Sequence, residues 1–265
     1  KDSASSKPIL IKGGDITFEN VSFHYDSRRP ILKNISFKAK PGEKVAIVGS
    51  SGSGKSTISR LLFRFYDVTS GLIKIDGQDI RDVTQNSLRS VIGIVPQDTV
   101  LFNDTIYYNI LYGRPNALIE DVEKAAKISK IHEFIANLPD NYQTKVGERG
   151  LKLSGGEKQR IAIARTILKK PRILVFDEAT SALDSETEND ILLSLDEVSA
   201  NHTTITIAHR LSTIINSDKI LVLENGKLVE TGTHYSLLKL NGRYSSMWQR
   251  QRQEQKALET LRKTQ

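Results

Sequence analysis

The start of the chain alternates between apolar and polar positions. In DITFENVSFHYD the apolar residues are Ile16 and Phe18, followed by Val21, Phe23 and Tyr25. Because successive side chains of a strand point to opposite faces, this pattern predicts paired antiparallel strands. A second stretch, GLIKIDGQDI, alternates around an Asp–Gly pair, which is typical of a β-hairpin turn.

Short continuous apolar runs elsewhere predict buried strands. The run EKVAIVG (Glu43–Gly49) precedes a Gly/Ser loop and an amphipathic pattern that predicts a helix over Lys55–Tyr66. RILVFDEA, TTITIAHR and DKILVLENGKLVETG predict further strands, whereas residues 98–170 are mostly helical in pattern. Strands that alternate with helices are typical of a parallel sheet. The sequence therefore predicts an α/β fold with a parallel core, a helical insertion and an antiparallel flank.

Both ends of the chain are more polar than its middle. Residues 1–14, KDSASSKPILIKGG, combine small and polar residues with Pro and Gly, and this predicts a linker or exposed tail. The last segment, YSSMWQRQRQEQKALETLRKTQ, is charged and has only a weak apolar stripe. It predicts a C-terminal helix, which we interpret as largely solvated.

The composition permits a folded enzyme and excludes several kinds of site. With 265 residues, 38% of them hydrophobic, the chain can bury a real core, and the absence of cysteine excludes disulfides and cysteine-based metal sites. No apolar run approaches the ~18 residues of a membrane span, and no signal-peptide pattern is present. Because the chain begins with Lys1, we expect a piece of something longer. The net charge of +7 permits nucleic acid, a membrane surface or anionic small molecules as partners.

The segment GSSGSGKST fits the phosphate-loop pattern G-x-x-x-x-G-K-[ST], with a strand before it and a helix after it. Its glycines let backbone N–H groups surround phosphates, and the helix start adds about half a positive charge. Lys55 can reach the β and γ phosphates, and Ser56 can bind Mg²⁺. A flexible Gly/Ser turn is the alternative, but it leaves Lys55 unexplained. The predicted phosphate contacts are Gly49, Ser50, Ser51, Gly52, Ser53, Gly54, Lys55, Ser56 and Thr57.

A pair of carboxylates follows the apolar run Ile173–Phe176. Such a run suits a strand buried on both faces of a parallel sheet, and its carboxyl end lies where α/β sheets bind ligands. Asp177 would hold Mg²⁺ through water, and Glu178 would act as general base toward the attacking water. A solvated strand end would explain either acid alone, but not the pair together with a phosphate loop.

Three further residues are weaker candidates when taken singly. Gln97, in IVPQD after a strand, could reach Mg²⁺ or the attacking water. His209, which ends TTITIAHR, could contact the γ-phosphate, although a histidine at a strand end is more often structural. Tyr25 could stack on adenine, although an aromatic residue in a strand is usually part of a core.

The segment LSGGEKQR begins a helix in an unusual way. Ser154 is a good N-cap and Glu157 stands where a capping-box partner is expected. Gly155 and Gly156 nevertheless occupy the first helical positions, although glycine in a helix interior costs roughly 0.8–1 kcal/mol relative to alanine. Bare glycines at a helix start suit a second phosphate site. Since the phosphate loop already surrounds one triphosphate, either there are two ligands or two molecules share one.

Together these motifs resemble the ATP-binding-cassette family closely. They occur in the family's order and cover the chain from Ile16 to about Leu240. The resemblance implies an α/β P-loop NTPase (RecA-like) core with an antiparallel β subdomain and an α-helical signature subdomain, using ATP and Mg²⁺. The motifs are the phosphate loop Gly49–Thr57, the Gln97 loop, the signature LSGGEKQR, the acidic strand ILVFDE, the SALD loop at Ser181–Asp184 and the His209 switch.

The resemblance also accounts for the spare phosphate site. It implies that two cassettes meet head to tail and share two ATP, with the signature of one closing on ATP held by the other. Ser154 and Gly156 would touch a γ-phosphate in trans, and Asp184 would line the dimer interface. The implied catalytic residues are Glu178, His209 and Gln97; the metal contacts are Ser56, Gln97 and Asp177; further ATP contacts are Tyr25, Ser154, Gly155 and Gly156.

The resemblance divides the chain and narrows the subtype. It makes residues 1–14 a linker from a missing N-terminal membrane domain, 15–243 the nucleotide-binding domain with its helical subdomain at about 98–170, and 244–265 a C-terminal helix. VGERG (Val146–Gly150) resembles the segment by which exporter cassettes sense their membrane domains. RLLFRFYDVTSG and VPQDTVLFNDTIYYNILYG look like half-transporters of the mitochondrial inner membrane linked to iron–sulfur and glutathione-derived cargo. The domain would then face the matrix or, in a related bacterial exporter, the cytoplasm.

Two other functions compete with an exporter motor. A soluble cassette ATPase acting on nucleic acid or ribosomes would suit the positive charge, but such proteins usually carry two cassettes or a coiled-coil insertion, and no such repeat is visible. We therefore expect no nucleic-acid partner. A nucleotide-gated binding module without turnover is the other alternative, and the presence of Lys55, Asp177 and Glu178 argues against it.

Overall fold

The computed structural model describes residues 2–148, 150–179, 191 and 195–263. Within these ranges the strands form two sheets, one of four strands and one of six, with helices packed around the larger sheet and a separate helical layer. The predicted α/β fold is confirmed. None of the helices in the described ranges is long and apolar enough to cross a membrane.

The smaller sheet is antiparallel and forms the predicted flank. The pattern at residues 15–26 predicted a pair of strands, but these residues form one strand with a bulge. The pairing register shifts between Phe18 and Val21, and Asn20 takes a left-handed φ of 50°. The extra residue moves the apolar positions from even to odd numbers while keeping them on the buried face. In spatial order the strands are β2 (Arg29–Ala39), β1 (Ile16–Asp26), β4 (Ser70–Ile75) and β5 (Gln78–Asp79).

The larger sheet is the predicted parallel core. Neighbouring strands pair in parallel except at one edge, where the last strand turns back at Asn225–Gly226 and pairs antiparallel. The central strands are buried along nearly their whole length, as their apolar runs predicted. In spatial order they are β10 (Lys227–Gly232), β9 (Lys219–Glu224), β3 (Lys44–Gly49), β8 (Thr203–Ile207), β7 (Ile173–Asp177) and β6 (Ile92–Val95).

The helices divide between this core and the predicted insertion. The first helix ends four residues before the predicted Tyr66, because Arg64 turns left-handed with a φ of 50°. The insertion has its own apolar cluster, which includes the fully buried Ile106, Val122 and Ile161. Helices with both ends in the described ranges are α1 (Lys55–Leu62), α2 (Gln85–Val91), α3 (Ile106–Leu111), α4 (Ile119–Ile128), α5 (His132–Ala136), α6 (Gly155–Lys169), α7 (His234–Lys239) and α8 (Arg243–Lys263), with 3-10 turns at Asn141–Gln143 and Leu211–Ile214.

The N-terminal segment, predicted as a linker or exposed tail, is mostly exposed but is bonded to the domain at two places. The Asp76 carboxylate accepts hydrogen bonds from the backbone N–H groups of residues 12–15 at 2.6–3.1 Å. Ile9 is buried, and its N–H donates to Ser87 Oγ at 3.0 Å. The segment therefore enters the domain along the β4–β5 hairpin, whose turn lies at Asp76–Gly77 as predicted.

The C-terminal helix also departs from its prediction, because its first turns are not solvated. Tyr244 is fully buried, and the Glu230 carboxylate accepts hydrogen bonds from the N–H groups of Arg243 and Tyr244. The Trp248 ring meets His234 edge-on at 4.7 Å. The described side chains that follow Gln251 are exposed, so the solvated description holds only for the distal half.

Candidate functional site

An open cleft of about 700 Å³ lies at the carboxyl ends of the central strands. This is the edge at which α/β sheets bind ligands, and the volume lies within the usual range of small-molecule pockets. The folded chain thus brings together segments that are far apart in sequence. The predicted site residues that line the cleft are Tyr25, Ser51, Gly52, Gly54, Lys55, Ser56, Thr57, Gln97, Glu178 and His209.

At two positions of the Gly/Ser loop a side chain would strike neighbouring atoms. A Cβ on Gly49 would stand 2.3 Å from the Leu223 carbonyl oxygen, and Gly54 has a φ of 103° with Leu32 Cδ2 2.6 Å from the position of a Cβ. Both contacts are shorter than real Cβ atoms make. Gly54 is also the N-cap of α1, so the loop delivers the open N–H groups of a helix start to the cleft. Gly49, Ser50 and Ser53 lie in the loop without lining the cleft.

Lys55 is buried at the floor of this loop. Its ammonium donates to the carbonyl oxygens of Gly49 at 2.9 Å and Ser50 at 3.2 Å. Burial lowers the pKa of Lys55, and the negative charges of Glu178 and Asp177 oppose that shift. A buried ammonium can stabilise a polyanionic ligand strongly, because water screens its charge poorly.

Asp177 lies at the end of β7, directly beneath α1. Its carboxylate accepts a hydrogen bond from Ser59 Oγ at 3.2 Å. Burial raises the pKa of Asp177 and repulsion from Glu178 adds to the rise, while the hydrogen bond from Ser59 opposes it. The positive charges of Arg60 and Lys55 also oppose the rise, but burial outweighs them, so a further cation at this point would stabilise the carboxylate.

The donors at this point fit a hard divalent cation. Ser56 and Gln97 line the cleft beside which Asp177 lies, and all three offer oxygen atoms. In the described part of the chain no group of three His, Cys, Asp or Glu side chains could hold a metal. One carboxylate and a hydroxyl, completed by water and phosphate oxygens, is the usual environment of Mg²⁺, which is rarely held by a protein cage.

Glu178 reaches the cleft through a strained backbone. It follows β7 with a left-handed φ of 49°, and its N–H donates to the Ile207 carbonyl oxygen at 2.9 Å. Non-glycine residues with such a φ are uncommon and cluster at functional sites. The turn directs Glu178 into the cleft while Asp177 stays beneath α1, so two adjacent acids occupy different environments.

Tyr25 stands at the mouth of the cleft and is 45% exposed. Its hydroxyl lies 3.4 Å from Thr57 Oγ1 and accepts a hydrogen bond from Arg60 Nη1 at 3.1 Å. Phe23 and Tyr66 meet its ring edge-on at 4.8 and 5.1 Å. The ring is thus fixed beside the phosphate loop and is not part of a closed core.

Two residues that contact the site, Ser59 and Arg60, were not predicted from the sequence. Ser59 is a turn after Lys55 on α1, and this spacing was the only available sign that it faces the end of β7. Arg60 gave no sequence signal, because its contact with Tyr25 depends on how the two sheets are placed.

The start of α6 has the predicted capping box but is not part of the described lining of the cleft. Ser154 Oγ accepts from the Glu157 N–H at 3.3 Å, and Glu157 Oε2 accepts from the Ser154 N–H at 2.6 Å, which confirms the capping box. Ser154 and Gly155 are exposed and Gly156 is half-buried. None of these three is among the described residues that line the cleft. Ser181–Asp184, the predicted interface loop, falls outside the described residues.

Comparisons with known proteins agree with this geometry. The profile of the ABC transporter family matches residues 32–181. The chain is 61% identical over 251 residues to "ATP-binding cassette sub-family B member 6" of Xenopus tropicalis, and 59% identical over 253 residues to "ATM1-type heavy metal exporter" of Novosphingobium aromaticivorans. These alignments cover 95% and 96% of this chain. "ABC transporter B family member 24, mitochondrial" of Arabidopsis thaliana is 59% identical over 92% of the chain.

A solved structure gives the same result in three dimensions. The structure described as "Structure of a bacterial Atm1-family ABC exporter with ATP bound" superposes on this chain with a TM-score of 0.90, and the two sequences are 59% identical. The superposition covers 95% of this chain and 44% of the exporter chain. The chain spans only 30% of the Xenopus relative, 42% of the Novosphingobium relative and 36% of the Arabidopsis relative. The similarity therefore concerns one part of larger proteins.

Proposed function

The chain belongs to the ABC transporter family, and from that premise we propose that it is the ATP-hydrolysing motor domain of a membrane exporter. The observation that carries the proposal is the single cleft in which a phosphate loop, a buried lysine, Glu178 and His209 converge. Fold and family alone would not establish turnover, because function depends on the residues of the site.

In the proposed mechanism the loop and α1 bind the triphosphate. Backbone N–H groups at the start of α1 and the ammonium of Lys55 face the phosphates. The Lys55 ammonium already lies in the loop, where it bonds the Gly49 and Ser50 carbonyl oxygens. Binding of the triphosphate would therefore only turn this ammonium from the carbonyl oxygens toward the phosphates. Ser56, Gln97 and Asp177 would hold Mg²⁺, which would neutralise part of the phosphate charge.

The hydrolytic step requires a base that faces the cleft. Glu178 lines the cleft and would accept a proton from the attacking water, and His209, after the neighbouring strand β8, would contact the γ-phosphate. Asp177 is unsuited to the role of base because its carboxylate lies beneath α1 and bonds Ser59. Tyr25 would stack on the adenine ring.

Completing the site needs a second copy of the chain. Ser154, Gly155 and Gly156 present a bare helix start on the surface, outside the described lining of the cleft. A helix start of this kind suits a phosphate, and a head-to-tail dimer would set it against ATP held by the partner. We assign these three residues to the γ-phosphate of the partner's ATP.

The remaining parts of the proposal concern the whole protein. Two of the relatives are named as a heavy metal exporter and as a mitochondrial transporter. They support an exporter of glutathione- or iron–sulfur-linked compounds, joined through residues 1–14 to its own membrane domain and attached to a mitochondrial or bacterial inner membrane. None of the names given above speaks of nucleic acid or ribosomes, so they do not favour a soluble ATPase.

A substitution of Lys55 tests the proposal. Lys55→Ala should lose most ATP affinity or turnover, because the buried ammonium is the nearest cation of the cleft to the loop. ATP binding by calorimetry and phosphate release measure both effects. Lys124→Ala, an exposed lysine on α4, is the matched control and should behave as wild type. Normal activity of Lys55→Ala would refute the assignment, and ATPase stimulated by RNA or DNA and lost in salt would favour the soluble alternative.

A further inference from the structure

The C-terminal helix bonds directly to the loop that carries His209. Gln251 Nε2 donates to the His209 carbonyl oxygen at 2.6 Å, and Gln251 Oε1 accepts from the Leu211 N–H at 2.8 Å. One side-chain amide therefore holds both sides of the His209–Arg210 turn. An amide can do this because it carries a donor and an acceptor at the same end.

Helix α8 can act as a fixed support for this contact. Its N-terminus is capped by Glu230, and Tyr244 is fully buried with its hydroxyl 2.8 Å from His234 Nδ1. Trp248 packs edge-on against the same histidine. Tyr244, Trp248 and Gln251 recur at helical spacing and lie on one face. The stripe that fixes the helix to the core thus continues into the residue that bonds the loop.

The His209–Arg210 turn is bonded at both ends, and beyond it the Arg210 carbonyl oxygen accepts from Thr213 Oγ1 at 2.7 Å. Strand β8 ends at Ile207, and Ala208 is the last residue tied to the sheet, through an N–H donated to the Ile47 carbonyl oxygen at 3.1 Å. His209 itself is exposed and lines the cleft. The backbone at His209 thus lies between the bond from Ala208 to the sheet and the bonds from Gln251 on α8.

We propose that Gln251 is a positioning residue for the ATPase site, which holds His209 in the orientation that contacts the γ-phosphate. The proposal rests on the proposed function. Gln251 does not touch ATP; it acts by restricting the backbone of the switch histidine. Through this contact the C-terminal helix is coupled to turnover, so a displacement of α8 changes hydrolysis without changing the phosphate loop.

The test compares two glutamines of the same helix. Gln251→Ala removes both hydrogen bonds and should lower kcat about tenfold. A tenfold change corresponds to the free energy of roughly one to two lost hydrogen bonds. KM for ATP should stay within about twofold, because the phosphate loop and Lys55 are untouched. Gln253→Ala, at an exposed position two residues on, is the control and should match wild type. Gln251→Glu keeps the acceptor for the Leu211 N–H but sets a carboxylate against the His209 carbonyl, and should be at least as impaired as Gln251→Ala.

Two readouts separate positioning from a general structural effect. In a double-mutant cycle Gln251→Ala should add nothing to His209→Ala, because both act through one imidazole. Amide exchange over residues 208–213 should speed up in Gln251→Ala and not in Gln253→Ala, and this measurement does not depend on turnover.

The possible outcomes distinguish this inference from the function beneath it. Unchanged amide exchange, or losses that add in the cycle, would overturn the positioning role. Wild-type kcat in Gln251→Ala beside a crippled His209→Ala would overturn it while leaving the ATPase assignment intact. A wild-type chain without ATP turnover at any protein concentration would refute the proposed function, and the positioning role would fall with it.

Discussion

Replacing Ser154 by aspartate separates the two roles of this residue. As N-cap, Ser154 stabilises α6 through the hydrogen bond from the Glu157 N–H. As a predicted phosphate contact, it must present a surface that an anion can approach. Aspartate caps a helix as well as serine does, but it carries a negative charge. Ser154→Asp should therefore fold normally and fail to hydrolyse ATP.

The expected changes in unfolding free energy and in turnover differ enough to separate the capping role of Ser154 from its phosphate contact. Ser154→Ala should cost about 1 kcal/mol of unfolding free energy, the usual value of a lost N-cap. Ser154→Asp should cost nothing and gain up to about 1 kcal/mol from the helix dipole. A carboxylate about 4 Å from one phosphate charge is repelled by about 4 kcal/mol at an effective dielectric constant of 20, which corresponds to roughly a thousandfold loss of turnover.

The assay combines urea unfolding with phosphate release at saturating ATP. Thr105→Asp is the matched control, because Thr105 is the N-cap of α3, accepts from the Tyr108 N–H at 3.0 Å, and is not a predicted phosphate contact. It should keep both stability and turnover. Wild-type turnover in Ser154→Asp would refute the argument that a phosphate approaches this helix start.

Two further predictions concern Glu178 and Asp76. Glu178→Gln should still bind ATP but lose about 10²–10⁴-fold in turnover and accumulate an ATP-bound dimer on size exclusion, and unchanged turnover would remove it as the base. Asp76→Asn keeps a residue that tolerates the left-handed φ of 48° and should lose about 2 kcal/mol of unfolding free energy at pH 7. Burial opposes ionisation of Asp76, but the N–H bonds from Lys12, Gly14 and Asp15 outweigh it and lower its pKa below the ordinary 3.8. Because the pKa of Asp76 is lower in the folded state than in the unfolded state, its ionised carboxylate stabilises the fold above pH 3.8, and this contribution is lost as pH falls below 3.8. The difference in unfolding free energy between wild type and Asp76→Asn should therefore shrink below pH 3.8. A difference that stayed constant in urea titrations down to about pH 3 would contradict this.

The elements that the sequence predicted well are those fixed by local rules. The capping box at Ser154 depends on two residues one turn apart, and the hairpin at Asp76–Gly77 on a two-residue turn. The phosphate loop needs glycine wherever a side chain would strike the neighbouring backbone, as at Gly49. Such requirements can be recognised from neighbouring residues alone.

The features that escaped prediction depend on contacts between distant parts of the chain. The bulge at Asn20 changes the phase of β1, so two apolar patterns that suggested two strands belong to one. The N-terminal segment is held by Asp76, and α8 is held by Glu230. No pattern within either segment indicates its anchor. The same reason hid Gln251, which is one of several glutamines in a polar run and differs from its neighbours only in what it faces.

The strained backbone of Glu178 was likewise invisible in the sequence. Its left-handed φ places the side chain in the cleft and leaves Asp177 beneath α1. The sequence predicted Asp177 for the metal and Glu178 for the attacking water, and this turn supplies a physical reason for the division by placing the two acids in different environments. Backbone strain of this kind persists because the surrounding sheet fixes it.

The central claim is that one chain supplies only half of each ATPase site, and mixing two inactive variants tests it most directly. Ser154→Asp chains keep an intact phosphate loop, and Lys55→Ala chains keep an intact helix start. In random mixed dimers about a quarter of all sites would pair one intact half with the other. We predict ATPase activity on the order of that fraction of wild type from a mixture in which each variant alone is inactive; a mixture as inactive as its parents, with mixed dimers present, would contradict the account.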